Sequence, residues 1–307
     1  MHTRRNMMGM AAAAALLPDR LAAQAVPDQL VLLGTGGGPT PKALRAAPAM
    51  ALMISGQLHV IDAGNGVARQ VVLAGLPLKA LAHVWITHMH SDHVADAFTL
   101  PWLAWSGALS TPVVVHGPPG MARMARDWFG FARVDIETRI RDEGRPDLRK
   151  LMRVADVQPG VLLQAGDVRV TAARVAHPPL TDSFAYRFDW AGKSVVWSGD
   201  TRPCQALIDL ARGADVLVQE VMYLPALDRL IAGDNNAPQL RAHLLASHTT
   251  VEQAGEIAAA AGVKRLVLSH FVPGGDAAIS EAQWRDGAAR AFGGPIIVGR
   301  DLLSLPL

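Results

Sequence analysis

The sequence predicts an α/β fold: two αβ halves closed sheet against sheet with helices outside, a four-layer αββα sandwich. Short apolar runs of strand length recur along the chain, and stretches with helical spacing follow them. The order of strands followed by helices then occurs twice, with no linker, low-complexity run or short-period repeat between the two passes. At 307 residues, half of them apolar, the chain can bury a large core as one unit.

Taken in order, the first half opens with a strand at Gln29 to Leu33, running into the loop GTGGGPT. Two further strands, Met50 to Ile54 and Leu58 to Ile61, flank a turn at Ser55-Gly56, and Asn65 to Leu73 has helical spacing. Val84 to Thr87 reads as a buried strand, with a helix starting from Asp92. Val113 to His116 is another strand and Met121 to Phe129 another helix; the charge-dense stretch 132–153 reads as an exposed helical or looped insertion. The second half has strands at Val168 to Ala176, Phe184 to Phe188, Ser194 to Trp197, Val216 to Gln219 and Leu266 to Ser269. Helices are expected at Cys204 to Ala211, Val251 to Ala260 and Ala277 to Ala291. Thr249 and Glu252 fit a capping box, which makes Thr249 the expected N-cap.

The charge balance is nearly even, 29 Lys+Arg against 27 Asp+Glu, so composition points to neither nucleic acid nor an anionic membrane as partner. Cys204 is the only cysteine, which excludes an intrachain disulfide. Residues 1–25 carry Arg4 and Arg5, a short apolar stretch from Met7 to Leu17 and the triplet Ala23-Gln24-Ala25. That pattern reads as a twin-arginine-type export signal, with residues 26–307 as the mature catalytic domain, periplasmic or secreted.

The densest chemistry lies at ITHMHSDHV, residues 86–94. Neighbours two apart on an extended chain point the same way, so His88 and His90 project together, and Asp92 and His93 follow from the turn. Two imidazoles, then a carboxylate and an imidazole, suit two adjacent metal ions better than one. Further ligand types sit just past apolar runs: His177, Asp200 in SGDT and His270 in LSHF. Asp62, in IDAG, reads either as a residue orienting a ligand or as a turn aspartate. The glycines of Gly34 to Gly38 read as a tight loop passing near the metals rather than a phosphate cradle.

HMHSDH, a later His after a strand, then SGDT, then LSHF, resembles the metallo-β-lactamase superfamily over nearly all of the mature chain. The resemblance implies that superfamily's αββα fold and a dinuclear centre. It places His88, His90 and His177 on one metal and Asp92, His93 and His270 on the other, with Asp200 bridging. Two zinc ions are expected, with manganese or iron also compatible with the donors. The two cations outweigh their carboxylates and a hydroxide, so the centre attracts anions and activates water.

The C-terminal third narrows the branch. His248, before the Val251 helix, and Glu220, on a buried run, are similar to the Glu and His of the tRNase Z and arylsulfatase-like branch. By that likeness Asp92, His248 and Glu220 are the catalytic set, with His248 protonating the departing oxygen and Glu220 orienting it. Only 22 residues separate His177 from Asp200, too few for a tRNA-binding arm, and no basic face is visible. The expectation is therefore an exported hydrolase of phosphodiester or sulfate esters acting on a small anionic substrate. No stable nucleic-acid partner and no membrane partner are expected; a homodimer is compatible. Two alternatives stay open: a lactam- or lactone-opening hydrolase, and a metal-bound binding protein without turnover.

Overall fold

The computed structural model describes residues 26–307. The export signal expected at residues 1–25 lies outside the described residues.

Two seven-stranded sheets face each other. One contains β1 (Gln29–Gly34), β2 (Ala49–Ile54), β3 (Gln57–Ile61), β4 (Leu81–Trp85), β5 (Val113–Gly117) and β6 (Met152–Asp156), side by side in chain order. The other contains β7 (Gly160–Ala165), β8 (Val168–Arg174), β9 (Phe184–Trp190), β10 (Lys193–Trp197), β11 (Val216–Met222), β12 (Leu266–Val272) and β13 (Ile296–Val298), also in chain order. β14 (Leu303–Pro306) crosses back and pairs antiparallel with β1. Each half begins with antiparallel hairpins and ends with parallel strands, β3 to β6 in one and β10 to β13 in the other. In both halves, then, a run of strands points the same way, and the loops at its carboxyl ends gather at one rim.

Burial explains the layers. Leu32, Met50, Trp85, Tyr186 and Phe188 meet between the sheets. On the outer face of the first sheet, Val67–Leu73, Thr99–Ser106 and Met121–Glu143 bury Val71, Leu100, Trp105 and Ile136. Gln205–Ala211, Val251–Ala261 and Glu281–Ala289 do the same for the second, through Leu207, Ile257 and Trp284. No helix among the described residues is long and apolar enough to cross a membrane.

The differences from the sequence reading have physical causes. The charged stretch 132–153 is helical up to Glu143, but as the continuation of the preceding helix rather than as a separate element. The helix from Met121 runs unbroken to Glu143, because Ala132 and Ile136 continue its buried stripe after Ala125. The chain then forms β6, an edge strand with little burial and hence little apolar signature. β4 stops at Trp85, so the histidine motif lies wholly in the following loop and short helix rather than on a strand end. The N-cap of Val251–Ala261 is Thr250, not Thr249: Thr250 and Gln253 make the reciprocal capping box. Thr249 is not free to cap, since its hydroxyl donates to the Thr201 carbonyl at 2.6 Å.

Candidate metal centre

At the rim of the two sheets, seven side chains from four segments of the chain converge. His88 Nε2 lies 3.0 Å from His90 Nδ1, which lies 3.1 Å from His177 Nε2. Beside this trio, His93 Nε2 and His270 Nε2 are 3.2 Å apart, with Asp92 Oδ2 at 3.5 and 3.6 Å from them. Asp200 stands between the two groups. Its Oδ1 is 3.2 Å from His270 Nε2 and 3.4 Å from His93 Nε2, and its Oδ2 is 3.9 Å from His88 Nε2. All seven are buried except His90, which is half-buried.

The positions of the ring protons show what this arrangement needs. The Thr87 hydroxyl donates to Asp62, so it accepts from His88 Nδ1 at 3.0 Å. His93 Nδ1 donates to Asp62 at 2.9 Å, and His177 Nδ1 to the Ser247 carbonyl at 3.0 Å. Each of these three rings therefore carries its proton on the outer nitrogen and turns the Nε2 lone pair inward. Inward lone pairs about 3 Å apart repel unless a cation lies between them. Two ligands about 2.05 Å from a tetrahedral zinc are themselves about 3.3 Å apart. Asp200 Oδ1 is buried with no hydrogen-bond partner among the described residues, which a cation would also resolve. The donor set thus fits two metal ions, with Asp200 standing between the two groups.

Charge divides the two groups. Burial, reinforced by the His93 charge, holds His88 well below the usual imidazole range, and burial likewise lowers His90 and brings His177 to about 4. These three are neutral at pH 7, the state a ligand requires. Burial acts against a charged His93 as well, but Asp200, Asp62 and Asp92 around it outweigh burial and hold it well above that range, so the Nε2 lone pair becomes available as a bound cation displaces the second proton. The histidine charges pull Asp92 and Asp200 down despite burial.

Neighbouring residues fix the geometry. Asp62, left open in the sequence, is an orienting residue: it also accepts from the Thr87 amide at 2.9 Å and from Trp197 Nε1 at 3.0 Å. The glycine loop does pass the centre. Gly38 N–H donates to Asp92 Oδ2 at 3.0 Å, and a Cβ on Gly37 would lie 2.7 Å from His270 Nδ1. Glu220 accepts from the Thr201 amide at 2.7 Å and from His248 Nδ1 at 2.9 Å. Burial works against a charged His248, yet Glu220, together with Asp200 and Asp92, holds it up at about 9. Burial raises Glu220 itself. Cys204 stands at the N-cap of Gln205–Ala211 and packs against the outer core there.

A cavity of about 420 Å³ opens onto the centre, walled by Pro39, Lys42, Leu230, Leu240, His243 and His248. Two polar residues of this wall, Lys42 and His243, were not singled out in the sequence. Lys42 Nζ is tied to the carbonyls of Gly38 and Thr40, and burial lowers its pKa. His243 sits on the last turn of the helix Ala237–Ser247, its ring centroid 5.8 Å from that of His177 and 5.9 Å from that of His248. The sequence signal was a histidine five residues before His248, legible only once a helix is placed under it.

Residues 59–271 match the model of the beta-lactamase superfamily domain. The chain belongs to the metallo-β-lactamase superfamily. Within the superfamily it falls in the ribonuclease Z branch. Ribonuclease Z of Mycobacterium avium (strain 104) is 34% identical over 278 residues, covering 89% of this chain and 96% of that protein. Ribonuclease Z of Mycobacterium sp. (strain KMS) is 36% identical over 279 residues, covering 89% and 94%. Among solved structures, the metallo-β-lactamase fold protein YhfI from Bacillus subtilis superposes with a TM-score of 0.66 at 21% identity, covering 91% of this chain and 99% of that one. The short form of human tRNase Z superposes at 0.61 and 20%, covering 90% and 98%. The αββα sandwich is thus the superfamily fold, and the superfamily carries dinuclear metal centres, in keeping with the donor set above.

These relatives overturn the substrate expectation. The phosphodiester part of that expectation stands; the sulfate ester, the small anionic substrate and the absence of a nucleic-acid partner do not, and the last two were read from the missing arm and the even charge. The relatives named ribonuclease Z align across nine-tenths of this chain. The segment 178–199 is indeed filled by β9, β10 and the turns around them. RNA can be gripped by a surface built from any segments, so the length of this one interval decides nothing. Net charge, likewise, averages over faces that a nucleic acid meets singly.

Proposed function

We propose that this chain is a dinuclear-metal phosphodiesterase that cuts RNA, with a tRNA precursor as its substrate class. The observation that carries the proposal is its 34% identity to a ribonuclease Z across 89% of the chain, coupled to a rim where His248 and Glu220 open onto the same cavity as the seven donors. His88, His90 and His177 are the proposed ligands of one ion. Asp92, His93 and His270 are those of the other, with Asp200 between them. Zinc is the proposed metal, supported by the imidazole-rich donors; manganese and iron are the alternatives such donors admit. When bound, the two cations activate water at neutral pH and neutralise the anionic phosphate.

The protein's own groups do the rest. Asp62 holds the His93 ring through Nδ1, and Gly38 N–H holds Asp92, so neither swings as substrate enters. Glu220 fixes the His248 ring by its Nδ1 proton, leaving Nε2 to face the cavity and hand a proton to the departing oxygen. The deciding experiment offers metal-loaded protein three substrates: a 3′-extended tRNA transcript, the same sequence as DNA, and bis(p-nitrophenyl) phosphate. Cleavage of the transcript at one position, far faster than of the other two, is expected. Turnover of the small diester alone would overturn the RNA reading.

Location is a separate proposal. It rests on Arg4, Arg5 and Ala23-Gln24-Ala25 alone. Cell fractionation of the full chain, with and without Arg4→Lys and Arg5→Lys, tests it.

A further inference from the structure

Among the described residues, His243 is the one histidine at the rim that is neither a proposed ligand nor held by a carboxylate. Its proton can be located by elimination. The Ser247 hydroxyl lies 2.5 Å from the Pro178 carbonyl oxygen, which can only accept, so the single hydroxyl proton lies between those two oxygens. The same hydroxyl is 3.3 Å from His243 Nδ1. With its proton spent, the Ser247 oxygen accepts there, and His243 Nδ1 is the protonated nitrogen. His243 Nε2 is left with a lone pair and no partner among the described residues. The ring forms part of the cavity wall, its centroid 6.1 Å from that of His90. It therefore lines the cavity next to the seven donors without being one of them.

An acceptor in that place does not suit the phosphate, whose oxygens are acceptors themselves. Along the sugar–phosphate backbone of an internal nucleotide the sole hydrogen-bond donor is the ribose 2′-hydroxyl, which DNA lacks. That hydroxyl is on the carbon next to the one bearing the 3′-oxygen of the scissile linkage. We propose that His243 Nε2 accepts a hydrogen bond from the 2′-hydroxyl of the ribose at the cut, making His243 the residue that selects RNA over DNA. This inference rests on the RNA reading above and adds a specificity residue to it.

The test is a cycle of two proteins and two strands: wild type and His243→Ala, each with an RNA and with the same RNA carrying one 2′-deoxy sugar at the cut. Wild type is expected to cleave the deoxy strand about tenfold more slowly, the worth of one hydrogen bond. His243→Ala is expected to lose about tenfold on the RNA and nothing further on the deoxy strand, so the ratio falls to about one. His243→Gln, which can place an amide oxygen near Nε2, restores part of the ratio. Binding of the two strands to chelator-treated protein, followed by fluorescence anisotropy, shows the same ratio without turnover. Metal content is expected to be the same in wild type and His243→Ala; loss of an ion would make His243 a ligand and overturn the proposal. A wild type that cleaves both strands equally, or a variant that keeps the ratio, overturns the role of His243 alone. A wild type that cleaves neither strand overturns the RNA reading and this inference with it.

Discussion

Two histidine clusters lie within and beside the first sheet, and they do opposite things. At the rim, His88, His90 and His93 join His177 and His270 with ring nitrogens turned toward one another and two carboxylates among them. Deeper in, His59, His83 and His116 stand on β3, β4 and β5, with His59 opposite His83 and His116 opposite Trp85 in register. There the rings stack: His116 lies 3.8 Å from Trp85 at 6° between planes, and His59 lies 4.8 Å from His83. His83 and His116 bond each other at 3.0 Å, and Trp85 Nε1 donates to His59 at 3.3 Å. No carboxylate among the described residues pairs with any of the three. Burial holds His59 and His116 down at about 3 and His83 at about 4. The contrast shows that histidine density alone does not make a metal site. Convergent lone pairs with acidic neighbours do, whereas rings satisfied by each other and by tryptophan are core.

The sharpest break between the clusters is expected from Asp200→Ala. It removes the oxygen offered to each proposed ion, so activity should fall by on the order of 10²–10³-fold or more, and elemental analysis should show fewer than two metals per chain. His59→Phe, at the deep cluster, should leave metal content unchanged. Equal metal loss from both variants would erase the distinction.

Next in size is His248→Ala, expected to lower kcat by about 10²–10³-fold with metal content intact. Glu220→Gln should follow it more weakly, since the amide still accepts from Nδ1 but no longer favours the charged ring. A loss confined to KM would place His248 in binding rather than proton transfer.

The deep cluster should reveal itself in acid. In the unfolded chain these histidines take protons near pH 6.5, whereas the folded rings refuse them until about 4 or 3. Protonation therefore favours unfolding. Their contribution to stability is whole above about pH 6.5 and is lost as pH falls toward 4, by roughly 2 kcal/mol per ring at pH 5 as an upper bound. Urea unfolding of chelator-treated protein at pH 7 and pH 5 measures it without metal loss intervening. His116→Phe keeps an aromatic ring beside Trp85 and should flatten the pH dependence. An unchanged slope would show that the cluster is not what titrates.

The same contrast explains what could be read in advance. The rim motif was legible because HMHSDH is contiguous, and His177, Asp200 and His270 each follow an apolar run. The deep cluster was not, because His59, His83 and His116 are dozens of residues apart and meet only through parallel register, which no local pattern encodes. The long helix was cut short at Phe129 because its exposed charges masked the buried stripe of Ala125, Ala132 and Ile136. β6 and β7 escaped because edge strands bury little and so alternate weakly. Thr249 was mistaken for a cap because two adjacent threonines offer the same chemistry, and only the Thr201 carbonyl decides between them. The substrate was misjudged for a related reason: a grip on RNA is assembled from distant segments and leaves no run of residues to find.

The smallest effect predicted at the rim tests whether its geometry depends on a residue with no side chain at all. Gly37 passes so close to His270 that a Cβ would lie 2.7 Å from Nδ1 and 2.8 Å from Cε1, with Val272 Cγ2 also at 2.8 Å. His270 cannot swing far to make room, because its backbone already holds a left-handed φ of 47° and its ring is buried. Gly37→Ala should therefore displace the ring by a few tenths of an ångström and weaken the second proposed ion about tenfold, as loss of an outer supporting contact does. Competition with a graded chelator reads that change directly. The control is Gly56→Ala, at the β2–β3 turn, where φ is +78° and nothing lies within 4 Å of the added carbon. It should cost backbone strain of about 1 kcal/mol and leave metal affinity untouched. If Gly37→Ala instead lowers stability as Gly56→Ala does and leaves both ions bound equally well, the glycine loop shapes the fold and not the centre.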